Sequence, residues 1–328
     1  MCFLNRVRKP SDERKSSPLS EDANRMKKPK KEGSATFGAT TGMLSQMPKI
    51  QLAVLMLLWL ISFYPVYPSL VDTWLNHSNN SHGILVPLIS GFFIWQKRKQ
   101  LLSTPLNPSL WGAILLFCSL LLYSLFYVGA VAVACRLMII LSLIGLILFN
   151  FGADVLRVIR FPVFFLIFMI PIPVSLYTMI AFPLQIFATD ASAAAINLVS
   201  IPVYQEGNML YFAQTSLEVA EACSGLRSMT TFLMLGCLFA YLMDKGALRR
   251  LILVASSIPL AIFANFVRVT GTGILAHFFG ARIARGFLHE FSGLAVFAFG
   301  FVLLFAMYSL LNRQRTCGPQ QKDLRRAC

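Results

Sequence analysis

One short stretch of the sequence combines the side chains that nucleophilic chemistry needs. Residues 217–232 read LEVAEACSGLRSMTTF, so that Cys223, Ser224 and Gly225 follow two glutamates and precede Arg227. The strongly apolar run directly after this stretch predicts a helix, which puts Cys223 at or just before its first turn. N–H groups at a helix N-terminus favour a thiolate, and Arg227 lies one turn further on the same side. The position therefore suits a nucleophile better than a packing residue.

Other side chains nearby act against ionisation of this thiol. Glu218 and Glu221 carry negative charges, which disfavour a neighbouring thiolate. The seven cysteines of the chain form no CxxC pair and no Cys/His cluster at metal-ligand spacing. Neither a disulfide framework nor a metal site is predicted, and no cofactor is expected.

Further polar residues lie in or beside two later apolar runs. Asn265 and Arg268, three residues apart in FANFVRVTGTG, share one face of a predicted helix. An arginine inside a membrane span costs about 2.5 to 3.5 kcal/mol on insertion scales, so it should face the bundle and have a task, unless it snorkels to the headgroups. His289, in FLHEFSGL, begins the last apolar run, and His277 competes with it as a proton-transfer group.

The composition is typical of a polytopic membrane protein. Of the 328 residues 56% are hydrophobic and 13% are charged, and the mean hydropathy is +0.66. The net charge of +15 is concentrated in the tails, where residues 1–49 hold eleven Lys or Arg against five acids and residues 313–328 hold five against one. Such tails indicate cytoplasmic termini, so the basicity does not predict nucleic-acid binding.

The charge and hydropathy divide the chain into three parts. Residues 1–49 form a basic tail that is predicted to be disordered, and they contain no apolar segment that could be a cleavable signal peptide. Residues 50–311 form the transmembrane domain, and residues 312–328 form a second basic tail.

The fold class predicted from hydropathy is an all-α polytopic membrane protein with about eight transmembrane helices and a small extracytoplasmic segment before helix six. A short apolar run at 83–96 is counted as a span. The N-terminal tail and the basic residues after this run both favour the cytoplasm, so the chain must cross the membrane a second time between them. Residues 182–200 are predicted to form an interfacial or re-entrant helix, and residues 208–219 a strand or hairpin. The spans are expected near residues 50–70, 83–96, 109–128, 130–150, 159–181, 228–243, 251–275 and 290–311.

Antiparallel threading of the last three helices brings three reactive residues to one depth. Cys223 precedes helix six, Arg268 lies near the end of helix seven, and His289 begins helix eight, all at the outer side of the membrane. Such a set fits thiol acyl transfer: the thiolate attacks a carbonyl, the imidazole protonates the leaving amine, and the guanidinium stabilises the oxyanion or orients the substrate. Shared depth does not establish that the three side chains lie close together laterally.

Several segments resemble the exosortase family of bacterial membrane proteins. The most specific is VAEACSGLRS, and it is joined by NFVR, FLHEFSG, SHGILVP at 81–87, FPVFFLIFMIPIP at 161–173 and IPVYQEGNML at 201–210. The likeness covers roughly residues 60–310. The resemblance implies that Cys223, Arg268 and His289 are catalytic.

The resemblance also implies a substrate and a location. The substrates would be secreted proteins with a PEP-CTERM-type tail, which consists of a short Pro-Glu-Pro-like signal, a transmembrane helix and a basic end. The enzyme would be a cysteine protease or transpeptidase of the bacterial inner membrane with its site facing the periplasm, and the acceptor would be water, a lipid or a glycan. Residues expected to bind substrate or support the site are Glu221, Ser224, Gly225, Arg227, Asn265 and His82.

Three other functions remain open from the residues alone. A serine protease would use Ser224 with His289, although a cysteine is the better nucleophile. A transporter would use Arg268 and Asp190 as substrate or proton sites, with the proline-rich segment as a broken helix. A scaffold for envelope polysaccharide assembly would need none of these residues.

Overall fold

The computed structural model describes residues 49–213, 215–219, 225–243, 246–280 and 287–313, with the backbone alone for residues 49, 50, 78, 287–292 and 313. All of its elements belong to one compact unit that begins at residue 47. The helices within these ranges are α1 (Lys49–Ser62), α2 (Val66–Asn76), α3 (Leu85–Gln96), α4 (Arg98–Ser103), α5 (Leu110–Val128), α6 (Ala132–Asn150), α7 (Ala153–Phe165), α8 (Val174–Leu198), α9 (Leu226–Leu242), α10 (Ala247–Phe279) and α11 (Phe287–Arg313).

The described residues confirm an all-α polytopic membrane architecture. Five of their helices are long and apolar enough to cross a bilayer, namely α5, α6, α8, α10 and residues 293–312 of α11. The pair α1 and α2 makes a sixth if its two parts, bent by 66° at Pro65, count as one span. Helices α3 and α9 have 12 and 17 residues and fall below the length of about 20 that a span needs. The predicted number of eight spans is not confirmed.

The proline-rich region departs from the sequence prediction. Helix α7 ends at Phe165, a 3₁₀ turn covers Leu166–Met169, and α8 begins only at Val174. The predicted continuous span over 159–181 is therefore wrong. Proline lacks an N–H donor and clashes with the preceding turn, so Pro171 and Pro173 end one helix and start the next. Of residues 182–200, predicted as a separate interfacial or re-entrant helix, those up to Leu198 are instead the second part of α8.

A small antiparallel sheet follows α8. Its strands are β1 (Val203–Glu206), β2 (Met209–Phe212) and β3 (Ser216–Glu218), in the order β1-β2-β3. The predicted strand or hairpin at 208–219 is confirmed as β2 and β3, and β1 extends it. Leu210 and Leu217 face each other across the ladder and pack with Ile196 of α8 and Val269 of α10 in one apolar cluster. The sheet is thereby fixed against the helices that carry the polar residues.

Close helix contacts depend on small residues. A Cβ atom at Gly145 of α6 would lie 2.7 Å from the backbone nitrogen of Leu116 on α5, which shows how closely the two helices approach. Helices α9, α10 and α11 share a second core that contains Phe232, Ala261 and Leu304, all fully buried. This three-helix core fixes the relative positions of the polar residues on α9 and α10.

Candidate functional site

A cavity of about 710 Å³ opens where α9, α10 and α11 meet the turn before α3. Four of the predicted site residues line it: His82, Arg227, Asn265 and Arg268. The structure thus brings these four side chains around one cavity, whereas the lateral proximity of Cys223, Arg268 and His289 is not tested. Leu85, Phe232 and other apolar side chains form most of the remaining wall. A volume of this size accommodates a ligand of several residues.

Arg268 is placed by its helix and by a glycine opposite. It lies one turn beyond Asn265 on α10 and is half-buried. A Cβ atom at Gly293 of α11 would stand 3.4 Å from Arg268 Nη2 and 3.6 Å from its Cζ. The backbone of α11 therefore passes directly beside the guanidinium. A larger residue at position 293 would compete with a ligand for the same space.

The described residues of the cavity lining carry a net positive charge. Arg227, in the first turn of α9, and Arg268 lie close enough to repel each other electrostatically. No carboxylate occurs among the described residues of the lining. Two guanidinium groups that face a partly apolar cavity favour an anionic group or a developing oxyanion as the bound species.

His82 lies in the last turn of the 3₁₀ helix Ser78–Ile84, beside Arg227. Burial, and then the positive charge of Arg227, lower the pKa of His82 below its ordinary value of 6.5. The imidazole is therefore neutral at pH 7 and can accept a proton or a hydrogen bond.

The turn that carries His82 is fixed by the neighbouring residue. A Cβ atom at Gly83 would overlap the indole ring of Trp74, which packs directly on the backbone at this point. The Trp74 Nε1–H donates to the carbonyl oxygen of Met169 at 2.9 Å, so the ring cannot move away without losing a bond. Gly83 thus permits the close packing that holds His82 at the cavity.

The start of α9 is held against α10 through Gly225. Its φ is +82°, a left-handed conformation that favours glycine, and it caps the N-terminus of α9. A Cβ atom there would lie 3.0 Å from Asn265 Cγ and Nδ2, and Asn265 is only 4% exposed. Both the backbone conformation and the contact with Asn265 therefore require glycine at position 225.

Replacement of Gly225 by Ala is expected to lower the thermal stability and reduce activity. A non-glycine residue in the left-handed region costs about 1 to 2 kcal/mol, before the crowding against Asn265 is added. The measurement is the unfolding midpoint of the purified protein in detergent. The control is Gly271→Ala on α10, where an added Cβ meets nothing within 4 Å. Equal midpoints for the two variants would contradict the proposed contact.

The low pKa of His82 predicts that this residue lowers stability in acid. Above pH 6.5 the imidazole is neutral in both the folded and unfolded states, and it makes no difference. As the pH falls through 6.5, the unfolded state takes up a proton that the folded state still excludes, so unfolding becomes more favourable. Between about pH 7.5 and about pH 5 the unfolding midpoint of His82→Gln should fall less than that of the wild type. The exposed His77, changed in the same way, is the control, and a parallel fall in all three proteins would refute the assignment.

The structure does not test the other predicted site residues. Glu221, Cys223 and Ser224 lie outside the described residues, and so does the side chain of His289, whose backbone belongs to the first turns of α11. Asp190, a substrate or proton site in the transporter hypothesis, is exposed on α8, accepts a hydrogen bond from Gln205 on β1, and does not line the cavity.

Among the lining residues that the sequence prediction did not include, three lie beside the two arginines. Thr231 and Ser228 follow Arg227 on α9, and Gly293 lies on α11. Helical spacing places Ser228 and Thr231 three residues apart on one face, so periodicity from Arg227 could have suggested Thr231. No feature of the sequence near Gly293 predicts that it lines the cavity, because its contact is with Arg268 on another helix.

The described part of the chain contains no group of three His, Cys, Asp or Glu residues that could hold a metal ion. The chemistry that the cavity supports comes from guanidinium, imidazole, amide and hydroxyl groups. Such groups bind and polarise a carbonyl or carboxylate, and a nucleophile would have to be supplied beside them.

Comparison with known proteins identifies a family. A family model described as transmembrane exosortase matches residues 74–306, which include every residue described above for the cavity. The comparison with curated proteins found no match, and neither did the comparison with solved structures.

Proposed function

This chain belongs to the transmembrane exosortase family, and from that membership and the cavity we propose that it cleaves and transfers secreted proteins through a cysteine thioester. The family gives the general role, which is that of a membrane transpeptidase in protein sorting. The nucleophile, the supporting residues, the substrate tail and the membrane face are the proposal.

The observation that supports the proposal most is the cluster of Arg268, Arg227, Asn265 and His82 around one cavity. Cys223 stands two residues before Gly225, whose backbone rests on Asn265. Covalent geometry keeps the Cα of Cys223 within about 7 Å of that of Gly225. We infer from this tether that the thiol can reach a carbonyl held by the cavity.

The general acid of the proposed reaction is His289. It precedes Gly293 by four residues, a spacing that places two positions on one face of a helix. Gly293 lies against the Arg268 guanidinium. The same face of α11 would therefore supply both the space beside Arg268 and the proton for the leaving group. His82, which is neutral at pH 7, is assigned to substrate binding.

The proposed reaction has two steps. The Cys223 thiolate attacks the scissile carbonyl carbon, and Arg268 stabilises the oxyanion that forms. The carbon–nitrogen bond then breaks, His289 gives its proton to the departing amine, and a thioester remains on Cys223. In the second step, water or an amine or hydroxyl acceptor attacks the thioester carbonyl, loses its proton to His289, and releases the thiolate.

The proposed substrate is a secreted protein with a PEP-CTERM-type tail, consisting of an acidic signal, a transmembrane helix and a basic end. The positive cavity supports this choice because it suits a peptide segment with a carboxylate. The basic tails and loops support an inner-membrane orientation with both termini in the cytoplasm and the cavity facing the periplasm. The acceptor would be water, a lipid or a glycan.

The site favours this function over its rivals. A transporter that uses both Arg268 and Asp190 as substrate or proton sites gains no support from this cavity, because Asp190 bonds to Gln205 and does not line it. A scaffold has no need for two arginines beside a cavity, given the cost of burying such charges. A serine protease that uses Ser224 differs from the proposal only in its nucleophile.

Intact mass spectrometry of a co-expressed tailed substrate tests the proposal directly. A bare new C-terminus would identify hydrolysis, and an added mass would identify transfer to an acceptor. A substrate that is recovered uncut, with the enzyme present at normal levels in the membrane, would refute the proposed substrate class.

A further inference from the structure

A second cavity, of about 570 Å³, lies toward the other ends of α9 and α10, where they meet α7. It is lined by Tyr241 near the end of α9, whereas Arg227 at the start of α9 lines the first cavity. Fourteen residues separate these positions, or about 21 Å along a helix. The second cavity is therefore separate from the proposed catalytic site, and no step of the reaction uses it.

Basic side chains converge on this second cavity. Lys97, Arg157, Arg160 and Arg250 line it, and none of the other described lining residues is acidic. Arg157 pairs with Asp154, which lies outside the lining, at 2.6 Å. Three cations therefore remain whose charge is not balanced by an ion pair with a described residue.

The backbone holds two of these cations in place. The Lys97 ammonium donates to the carbonyl oxygen of Val158 at 2.8 Å and lies 5.3 Å from the ring centroid of Tyr241. The Arg250 guanidinium donates twice to the carbonyl oxygen of Met243, at 3.1 and 2.7 Å. Neutral carbonyl groups orient the side chains but leave their positive charge available to a ligand.

The rest of the cavity is aromatic. Tyr241 stacks on Phe161 with the ring centroids 3.8 Å apart, and Phe164, Phe165 and Phe168 continue the same wall along α7 and the turn after it. Phe164 is 63% exposed, and an aromatic side chain so exposed in a membrane protein is suited to contact with lipid chains. The cavity therefore joins a basic end to an apolar wall that is open to the bilayer.

We propose that this cavity binds an anionic phospholipid, with its phosphate at Lys97, Arg160 and Arg250 and an acyl chain along the phenylalanine wall. Basic pockets between transmembrane helices recognise such headgroups, and a free phosphate would have no use for the aromatic wall. The cluster lies at the end of the bundle that the charge distribution assigns to the cytoplasm, where anionic lipids attract basic residues. The proposal is independent of the proposed enzymatic activity.

Native mass spectrometry of the full chain in detergent tests this binding. The probes are dioleoylphosphatidylglycerol, dioleoylphosphatidylcholine with the same acyl chains, and inorganic phosphate. The wild type should retain the anionic lipid in preference to the zwitterionic one, and inorganic phosphate should not displace it. Equal retention of the two lipids, or displacement by inorganic phosphate, would overturn the proposal.

A matched pair of double variants separates a built site from diffuse attraction. Arg160→Gln with Arg250→Gln removes two charges from the cavity, and Arg98→Gln with Lys99→Gln removes two charges at adjacent positions that do not line it. Retention of the anionic lipid should fall about fivefold per charge lost from the cavity and less than twofold in the other variant.

A similar loss in both double variants would show attraction to basic loops in general and would overturn the proposal. Arg160→Gln alone guards against a folding defect, because Arg160 is exposed. With an unchanged unfolding midpoint, this single variant should still lose about fivefold in retention. Unchanged retention of the anionic lipid by this single variant would also contradict the assignment.

Discussion

Replacement of Cys223 by Ala is expected to abolish processing of a tailed substrate, with no detectable thioester and no cleaved product. Without the sulfur there is no atom to form the covalent intermediate, and the remaining cavity groups can only bind and polarise the carbonyl. A serine protease that depends on Ser224 would survive this change. Cleavage by Cys223→Ala at the normal rate would therefore refute the thiol mechanism.

The control for this variant is Cys118→Ala, which removes an exposed thiol on α5. It should process substrate as the wild type does. A membrane-impermeant maleimide applied to whole cells should label the wild type at Cys223 and should lose that label in Cys223→Ala. Failure to label Cys223 from outside would contradict the proposed periplasmic orientation, independently of the result for cleavage.

Replacement of Arg268 by Ala should lower the processing rate by about 10²- to 10⁴-fold while the protein still accumulates in the membrane. The expected loss reflects one charged contact to the oxyanion or to the substrate's carboxylate. Arg268→Lys should restore little, because an ammonium does not reproduce the two parallel hydrogen bonds of a guanidinium. The measurement is single-turnover cleavage of a tailed substrate.

Arg249→Lys is the matched control for this exchange. Arg249 lies on the same helix, α10, where its guanidinium donates to the carbonyl oxygen of Leu311, distant from the first cavity. Its replacement by Lys should leave the cleavage rate within about twofold of the wild type. If Arg268→Lys were as active as this control, a bidentate contact at Arg268 would be excluded.

The polar residues of the cavity were predictable to different extents. The spacing of Asn265 and Arg268 predicts their shared face, and the cost of an arginine within a span predicts that it faces inward. The depth of each polar residue in the membrane follows from the antiparallel order of the helices. The order of the helices does not predict which residues are lateral neighbours, because that depends on how the side chains of one helix pack into the grooves of another. The contact of Gly293 with Arg268 results from such packing, and helical periodicity within α11 does not encode it.

The helix boundaries show a similar division. Apolar length predicts that a bundle forms, but it does not distinguish one continuous span from two helices joined at a break. Pro171 and Pro173 determine the break before α8, whereas Pro162 and Pro183 are accommodated inside α7 and α8. The same residue type has opposite outcomes because neighbouring helices can satisfy the carbonyl groups that a proline leaves without a donor. Sequence alone does not supply those neighbours.

The short helix α3 has a consequence for the surrounding bilayer. Its 12 residues extend about 18 Å, whereas the hydrocarbon layer is about 30 Å thick. The basic residues at 97–99 place the C-terminal end of α3 at the cytoplasmic surface, so a bilayer of ordinary thickness would cover the polar turn with His82 that precedes the helix. Hydrophobic mismatch of this kind is relieved when the lipid layer thins locally around the protein. A thinned layer beside the first cavity would shorten the distance that the polar peptide of the proposed membrane-anchored substrate must travel through hydrocarbon before it meets Arg268.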